Sequence, residues 1–385
     1  MKRRYVAVVL MSAVLALGGC GDDKEHISKG NTEQQVGASE MREPGEVSGN
    51  TEPGTESPVR ETVDGTEFVE PPTETEETPQ YPEIVSDKKV VDYGTVVRVG
   101  DAVYELYTYV DDAADAYALA VNKAAAELEQ KADVYNLVVP LGSGIVFPDN
   151  LKDQLSCSDQ QEAMQQIHGK MDSGVISVDI YDSLMTHRDE YIYFRTDHHW
   201  TALGAYYAYR DFCEAKGIVP EELDSYETKV FDGFLGSFYN DTDKNKKLKK
   251  NPDTVTAYLP NMDAVCHVED AQGVKYDSPV IYDETNAGAS LKYSAFIAGD
   301  NPYTEIVNSE LTDGSACIVV KESFGNAFIP FLVDHYQTIY VIDYRYWSGS
   351  ISELAGEKGV EDVIFINNLS MIRNKSLIGK LYRVI

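Results

Sequence analysis

Tryptophan occurs twice and histidine seven times in 385 residues, so imidazole chemistry must be concentrated in very few places. Cysteine occurs five times and never as Cys-x-x-Cys, which argues against a structural zinc site. Basic residues are scarce: 33 Lys and Arg stand against 64 Asp and Glu. The net charge of −31 argues against nucleic acid as a partner. No Gly-x-Gly-x-x-Gly follows a strand-like run and no Walker A pattern occurs, so no soluble cofactor is expected. Long apolar runs are missing too. The apolar stretch at residues 6–17 is shorter than the roughly 20 residues a comfortable membrane span needs.

That stretch has another use. Lys2, Arg3 and Arg4 precede it, and it ends in Leu17-Gly18-Gly19-Cys20. The order of basic residues, apolar run, small residues and Cys matches a bacterial lipobox. Residues 1–20 are therefore expected to be a lipoprotein signal peptide, with Cys20 acylated (palmitate among its chains) as the first mature residue. The plainer alternative is an ordinary signal peptide with an incidental Cys. Several acyl chains make a stable anchor, because each buried methylene adds about 0.8 kcal/mol. Residues 21–86 are rich in Glu, Thr, Gly, Pro and Ser and cannot bury enough surface to offset their ordering entropy. They read as a disordered acidic tether. The expected location is extracytoplasmic, lipid-anchored to the cell membrane.

Residues 87–385 are long enough for one large α/β domain. Short strands with turns at Gly94 and Gly100 open it. Helical spacing follows at 112–131, 160–171, 202–216, 326–335 and 351–358. Thr201 is placed to cap the third of these helices and Gly217 to stop it. Buried strands are expected at 135–140, 175–181, 317–321, 338–343 and 363–366. Alternating strands and helices imply a mainly parallel sheet covered on both faces. Residues 222–312 differ, being polar and without a long helical period, and read as an antiparallel, loop-rich insertion or subdomain. Cys317 is expected to be a buried thiol. Cys157 is free to pair with Cys213 or Cys266, and the sequence does not choose.

The densest chemistry lies in Tyr193-Phe194-Arg195-Thr196-Asp197-His198-His199-Trp200-Thr201. An Asp two residues before a His can orient that imidazole and stabilise its charged form. Downstream, Ser323 sits in Lys321-Glu322-Ser323-Phe324-Gly325-Asn326, between a strand and a helix. A serine there presents its hydroxyl at the sheet edge, where a helix N-terminus and the Asn326 amide can meet an oxyanion. On local sequence alone the commoner meaning of such a serine is a helix cap. Ser143 and Ser237 are rival serines with turn-like contexts. Asp197 with two His also offers metal-ligand types. Lys244, Lys246, Lys247, Lys249 and Lys250 form a basic run whose commoner meaning is a solvated loop tip. Trp200 and Trp347 neighbour the candidate segments and are the better aromatic platforms for a sugar.

These blocks, with Gly204-Ala205-Tyr206, Phe234-Leu235-Gly236-Ser237-Phe238-Tyr239 and Ile339-Tyr340-Val341-Ile342-Asp343-Tyr344-Arg345-Tyr346, resemble the DHHW family. That family is similar to the SGNH-hydrolase-like O-acetyltransferases of alginate and other exopolysaccharide systems. The resemblance runs over about residues 135–368. It implies an SGNH-hydrolase-like three-layer α/β fold. It also implies a triad of Ser323 as nucleophile, His199 as base and Asp197 as orienter. Arg345 is implied at the donor, substrate or oxyanion, against the alternative of an ion pair near Asp343. Glu322 departs from the Asp often found in relatives, and the hydrolase Gly-Asp-Ser is absent. The His-before-Ser order suggests a circular permutation, which leaves triad geometry unaffected.

The expected function is an extracytoplasmic O-acetyltransferase or acetylesterase acting on a cell-surface polysaccharide through an acetyl-serine. The resemblance implies a membrane-bound O-acyltransferase as donor partner. A non-catalytic glycan-binding or scaffolding lipoprotein is the alternative. A metal-dependent phosphoesterase would need further Asp motifs that the region before Asp197 lacks.

Overall fold

The structure is a computed structural model and describes residues 80–385. The expected signal peptide, Cys20 and nearly all of the acidic tether lie outside those residues. The last few tether residues are bonded to the fold. Tyr81 donates to Asp182 at 2.6 Å, and the Ile84 and Ser86 amides donate to Asp149 and Asn150 at 2.9 and 3.0 Å. These bonds attach residues 81–86, just ahead of Asp87, to the folded domain.

Thirteen strands are present among the described residues. They are β1 (Val90–Asp92), β2 (Val96–Val99), β3 (Ala102–Glu105), β4 (Asp133–Val139) and β5 (Val175–Val178). β6 (Thr228–Phe234), β7 (Asp253–Tyr258), β8 (Ala264–Glu269) and β9 (Lys275–Pro279) follow. The last four are β10 (Tyr303–Asn308), β11 (Ala316–Lys321), β12 (Thr338–Asp343) and β13 (Asp362–Asn368). Eight form the main sheet in the order β5-β4-β13-β11-β12-β10-β8-β9. The first five of these run parallel to one another, and β10, β8 and β9 add antiparallel strands at one side.

Sequence explains the split. β11 reads Ala-Cys-Ile-Val-Val-Lys and is buried at every position, as is β13. Such continuous burial belongs to strands covered on both faces. β10 alternates between buried and half-buried residues, as an antiparallel strand with one wetter face does. Residues 222–312 are therefore only partly an insertion. β6 and β7 form a separate two-stranded ribbon, but β8, β9 and β10 extend the main sheet. Their alternation was legible; the docking of β10 on β12 was not, since it joins chain segments distant in sequence.

The helices Asp111–Leu128, Ile351–Lys358 and Lys375–Arg383 pack together, and Ala202–Lys216 packs on Gly325–Leu332. Lys375–Arg383 was not anticipated, being short and mostly polar. Thr201 caps its helix by accepting from the Gly204 amide at 3.3 Å, and Gly217 ends it at φ 75°. Cys157, Cys213, Cys266 and Cys317 are all free thiols, so the open question of a Cys157 pairing is answered by none. Cys317 is fully buried within β11.

Candidate active site

Strands β11, β12 and β13 end side by side at Lys321, Asp343 and Asn368, where ligands of parallel α/β sheets bind. Ser323 follows β11 by two residues. Gly325 opens the next helix, and a Cβ there would come within 2.7 Å of the Lys321 Cβ and 3.0 Å of Ile366. Only glycine lets the helix start so close to the sheet, which in turn fixes the serine at its edge.

The Asp-His-His-Trp segment is a tight loop closed by a bridge between Tyr193 and Trp200 and by the Phe194 amide donating to the His199 carbonyl. Asp197 Oδ1 accepts from the backbone amide of His199 at 3.1 Å, an Asx-type turn that needs the two-residue spacing. The loop is pinned from outside by Asp253 at the start of β7. Its carboxylate is wholly buried and accepts from the Thr196 amide and hydroxyl at 2.7 and 2.6 Å and from Tyr191 at 2.6 Å.

These elements bring Ser323, His199 and Asp197 together. Ser323 Oγ lies 2.7 Å from His199 Nε2, and His199 Nδ1 lies 2.5 Å from Asp197 Oδ1. Asp197 Oδ2 accepts from the Ser237 amide at 2.8 Å. All three residues are buried, Ser323 being 8 % exposed. Burial by itself would raise the Asp197 carboxyl. The neighbouring His198 and His199 rings and the hydrogen bonds from His199 and the Ser237 amide overcome it and hold that carboxyl well below the usual range.

Gly236 makes that approach possible. A Cβ there would sit 2.0 Å from Asp197 Oδ2 and 2.2 Å from its Cβ. Tyr293 stacks on the His199 ring and donates to the Ser323 carbonyl at 3.0 Å. Tyr293 carried no sequence signal, since it belongs to the loop-rich region; Gly236 stood within the Phe234–Tyr239 block of the resemblance, but the clearance it gives Asp197 depends on tertiary contact.

Other expected residues fall elsewhere. Trp200 is fully enclosed and donates to the Phe324 carbonyl at 3.0 Å, so it braces the nucleophile turn and offers no sugar platform. The Asn326 amide nitrogen donates to Asp300 at 2.9 Å, and its carbonyl oxygen is buried without a partner. Arg345 is ion-paired: its guanidinium meets Asp343 at 2.6 and 2.8 Å and Asp300 at 2.8 Å. Sequence order left that alternative open, and burial favours it, since a buried charge must be paired.

Lys321, the register neighbour of Asp343, is completely buried and bridges Asp300 and Asp343 at 3.0 and 3.2 Å. Two cations and two carboxylates thus balance beneath the strand ends. Asp300 arrives there through a turn in which Ile297, Ala298 and Gly299 all have positive φ, at 48, 60 and 80°. A β-branched residue in that region is strained, and the ionic network holds it.

Glu322 accepts from the amides of Phe324 and Asn368 at 3.3 and 3.1 Å and lies 3.4 Å from Ser323 Oγ. Burial pushes its carboxyl upward. His198 lies against the triad, its ring centroid 3.9 Å from that of His199 and its Nδ1 3.8 Å from Asp197 Oδ1, but its Nδ1 is hydrogen-bonded to Ser237 Oγ at 2.7 Å and not to Ser323. Ser143 is bonded to Gln160 and has no imidazole beside it. The Asp197, His198 and His199 ligand atoms lie within 4.8 Å of one another, but each is engaged by Ser237, Ser323 or one another.

The fold and this site define a known class: residues 72–342 match the model of the DHHW protein family. The chain belongs to the DHHW family. It is 31 % identical to a DHHW family protein from Eubacterium siraeum DSM 15702, with a TM-score of 0.69 over 78 % of this chain and 99 % of that one. It is 17 % identical to Bacillus cereus PatB1, whose structure with a sulfonyl adduct aligns at a TM-score of 0.60 over 75 % of this chain and 98 % of that one. At that identity the likeness concerns the fold. No functionally curated protein matches the chain.

Proposed function

We propose that the protein is a polysaccharide O-acetyltransferase or acetylesterase built on an SGNH-hydrolase-like three-layer fold. In this reading it is exported, lipid-anchored at Cys20 and supplied with acetyl groups by a membrane-bound O-acyltransferase. The observation that carries the chemistry is the continuous hydrogen-bonded line from Ser323 through His199 to Asp197. A serine hydroxyl is a poor nucleophile until a base removes its proton. Here Ser323 Oγ attacks the acetyl carbonyl while its proton passes to His199 Nε2. Asp197 holds the tautomer and stabilises the imidazolium. Collapse of the tetrahedral adduct breaks the bond to the donor's leaving group, which takes the proton from His199. A sugar hydroxyl, or water, then gives its proton to His199 and attacks the acetyl-serine. Breakdown of the second adduct returns the proton to Ser323 Oγ.

The test compares the full chain with its Ser323→Ala variant on a chromogenic acetyl ester, with mass spectrometry of the quenched reaction. The expected result is a 42 Da increment on Ser323 (the mass of an added acetyl group) and a loss of about 10⁴-fold or more in turnover for the variant. Equal turnover in both proteins would leave a glycan-binding or scaffolding lipoprotein as the reading.

A further inference from the structure

Three aromatic rings pack on the imidazole of His199: His198, Tyr293 and Phe324, with centroids at 3.9, 4.0 and 5.0 Å. Tyr293 and Phe324 are buried, as is Trp200, which packs on Phe324. The side chain of His198 is 34 % exposed. Of the rings that touch the base, His198 is therefore the one that solvent reaches freely, and it borders the open edge of the triad.

Its orientation follows from Asp197. Both Nδ1 atoms face Asp197 Oδ1, His199 at 2.5 Å and His198 at 3.8 Å, and the two rings are 36° from parallel. Both Nε2 edges consequently project to the same side, away from the carboxylate. One of them, His199 Nε2, meets Ser323 Oγ at 2.7 Å. The other, His198 Nε2, has no hydrogen-bond partner among the described residues and is not enclosed. Burial and the adjacent His199 ring hold His198 below the usual histidine range, so the ring is neutral, with one nitrogen donating and the other accepting. Ser237 Oγ, 2.7 Å from His198 Nδ1, can fill either role, which leaves Nε2 able to donate to a hydroxyl or accept from one. The triad's proton path runs through His199 alone and makes no use of this nitrogen.

An acyl acceptor must bring its hydroxyl to His199 Nε2, which takes the proton. His198 Nε2 then lies on the same side, one ring away, as a neighbouring hydroxyl of a sugar would require. We infer that His198 is an acceptor-binding residue, holding a second hydroxyl of a polyol while the adjacent one is acetylated, and so favouring a sugar over water or a mono-alcohol. The inference rests on the acyl-transfer reading above.

The full chain is mixed with nitrophenyl acetate and either ethylene glycol or ethanol at equal concentration. The acetyl-enzyme burst, the acetate and the acetylated alcohol are each measured. Per hydroxyl, the wild type is expected to transfer to the glycol at least about fivefold faster than to ethanol. His198→Phe keeps a flat ring against His199 and removes both nitrogens. Its preference for the glycol is expected to disappear, with glycol transfer falling at least about fivefold more than the burst. His198→Gln still donates and accepts and is expected to recover part of the preference. Thermal melting verifies that each variant is folded. A wild-type burst without preference for the glycol, a preference kept in folded His198→Phe, or burst and transfer falling together in both variants overturns the inference and leaves the triad standing. Absence of a burst in the wild type removes the acyl-transfer reading and this inference with it.

Discussion

The ring of Tyr293 lies against the ring of His199, centroids 4.0 Å apart and planes 15° from parallel, while its hydroxyl holds the Ser323 carbonyl. One side chain therefore positions both the base and the nucleophile's backbone. Tyr293→Phe keeps the stack and loses the hydrogen bond; Tyr293→Ala loses both. Steady-state kinetics on an acetyl ester should show a fall in kcat of only a few-fold for Phe and about 10²-fold for Ala, with KM little changed. Equal effects of the two variants would mean that the stack contributes nothing.

Gly236 is required by space, not by backbone conformation. The Cβ of Gly236→Ala would overlap the Asp197 carboxylate and force it away from His199. Turnover should drop by about 10²-fold or more with thermal stability lowered far less than activity. Wild-type kinetics in a folded variant would show that the carboxylate has room to move.

Asp197 accepts from two backbone amides as well as from His199. Asp197→Asn retains the shape but presents an amide group to His199 and lets the ring take the wrong tautomer. A loss of about 10⁴-fold in kcat is expected, measured at a pH where the variant remains folded. Because the folded carboxyl sits below its ordinary range, it stabilises the native state above the unfolded pKa, and that contribution is lost as pH falls.

Asp211 behaves in the opposite sense. It lies on the helix Ala202–Lys216, and burial pushes its carboxyl up to about 7 despite a hydrogen bond from Ser183. Its second oxygen is buried without a partner. Below pH 3.8 both states hold the proton; between there and about 7 the folded state holds it and the unfolded chain does not. Stability should therefore decline as pH rises through that window, by at most about 4 kcal/mol. Denaturant titrations of Asp211→Asn at pH 5 and pH 8 should show a clearly larger gain at pH 8 than at pH 5, where only about a third of the loss has accrued. An equal gain at both would exclude titration of Asp211 as the cause.

Much of the architecture could be read from residue order because it depends on local patterns. Continuous apolar runs such as Cys317-Ile318-Val319-Val320 mark strands with two covered faces, and Thr201 and Gly217 bracket their helix by short-range hydrogen bonds. Asp197 and His199 share an Asx-type turn, so their relation needs only two residues of spacing. The 20-residue start and Cys20 are likewise local signals, outside the described residues. The status of Arg345 and Asn326 was not local. Both were expected near the reacting centre, and both are taken by Asp300, a residue of the loop-rich region with no motif around it.

Chain order alone therefore set the element types, the choice of Ser323, His199 and Asp197 as candidates, and the family likeness, since each is written in short runs of neighbouring residues. Folding decided the rest: the 2.7 Å meeting of Ser323 with His199, the stacking of Tyr293, the clearance left by Gly236 and the buried charge balance of Lys321, Arg345, Asp300 and Asp343. Those depend on which strand ends become neighbours in the sheet. That is settled by long-range packing and by the need of every buried charge for a partner.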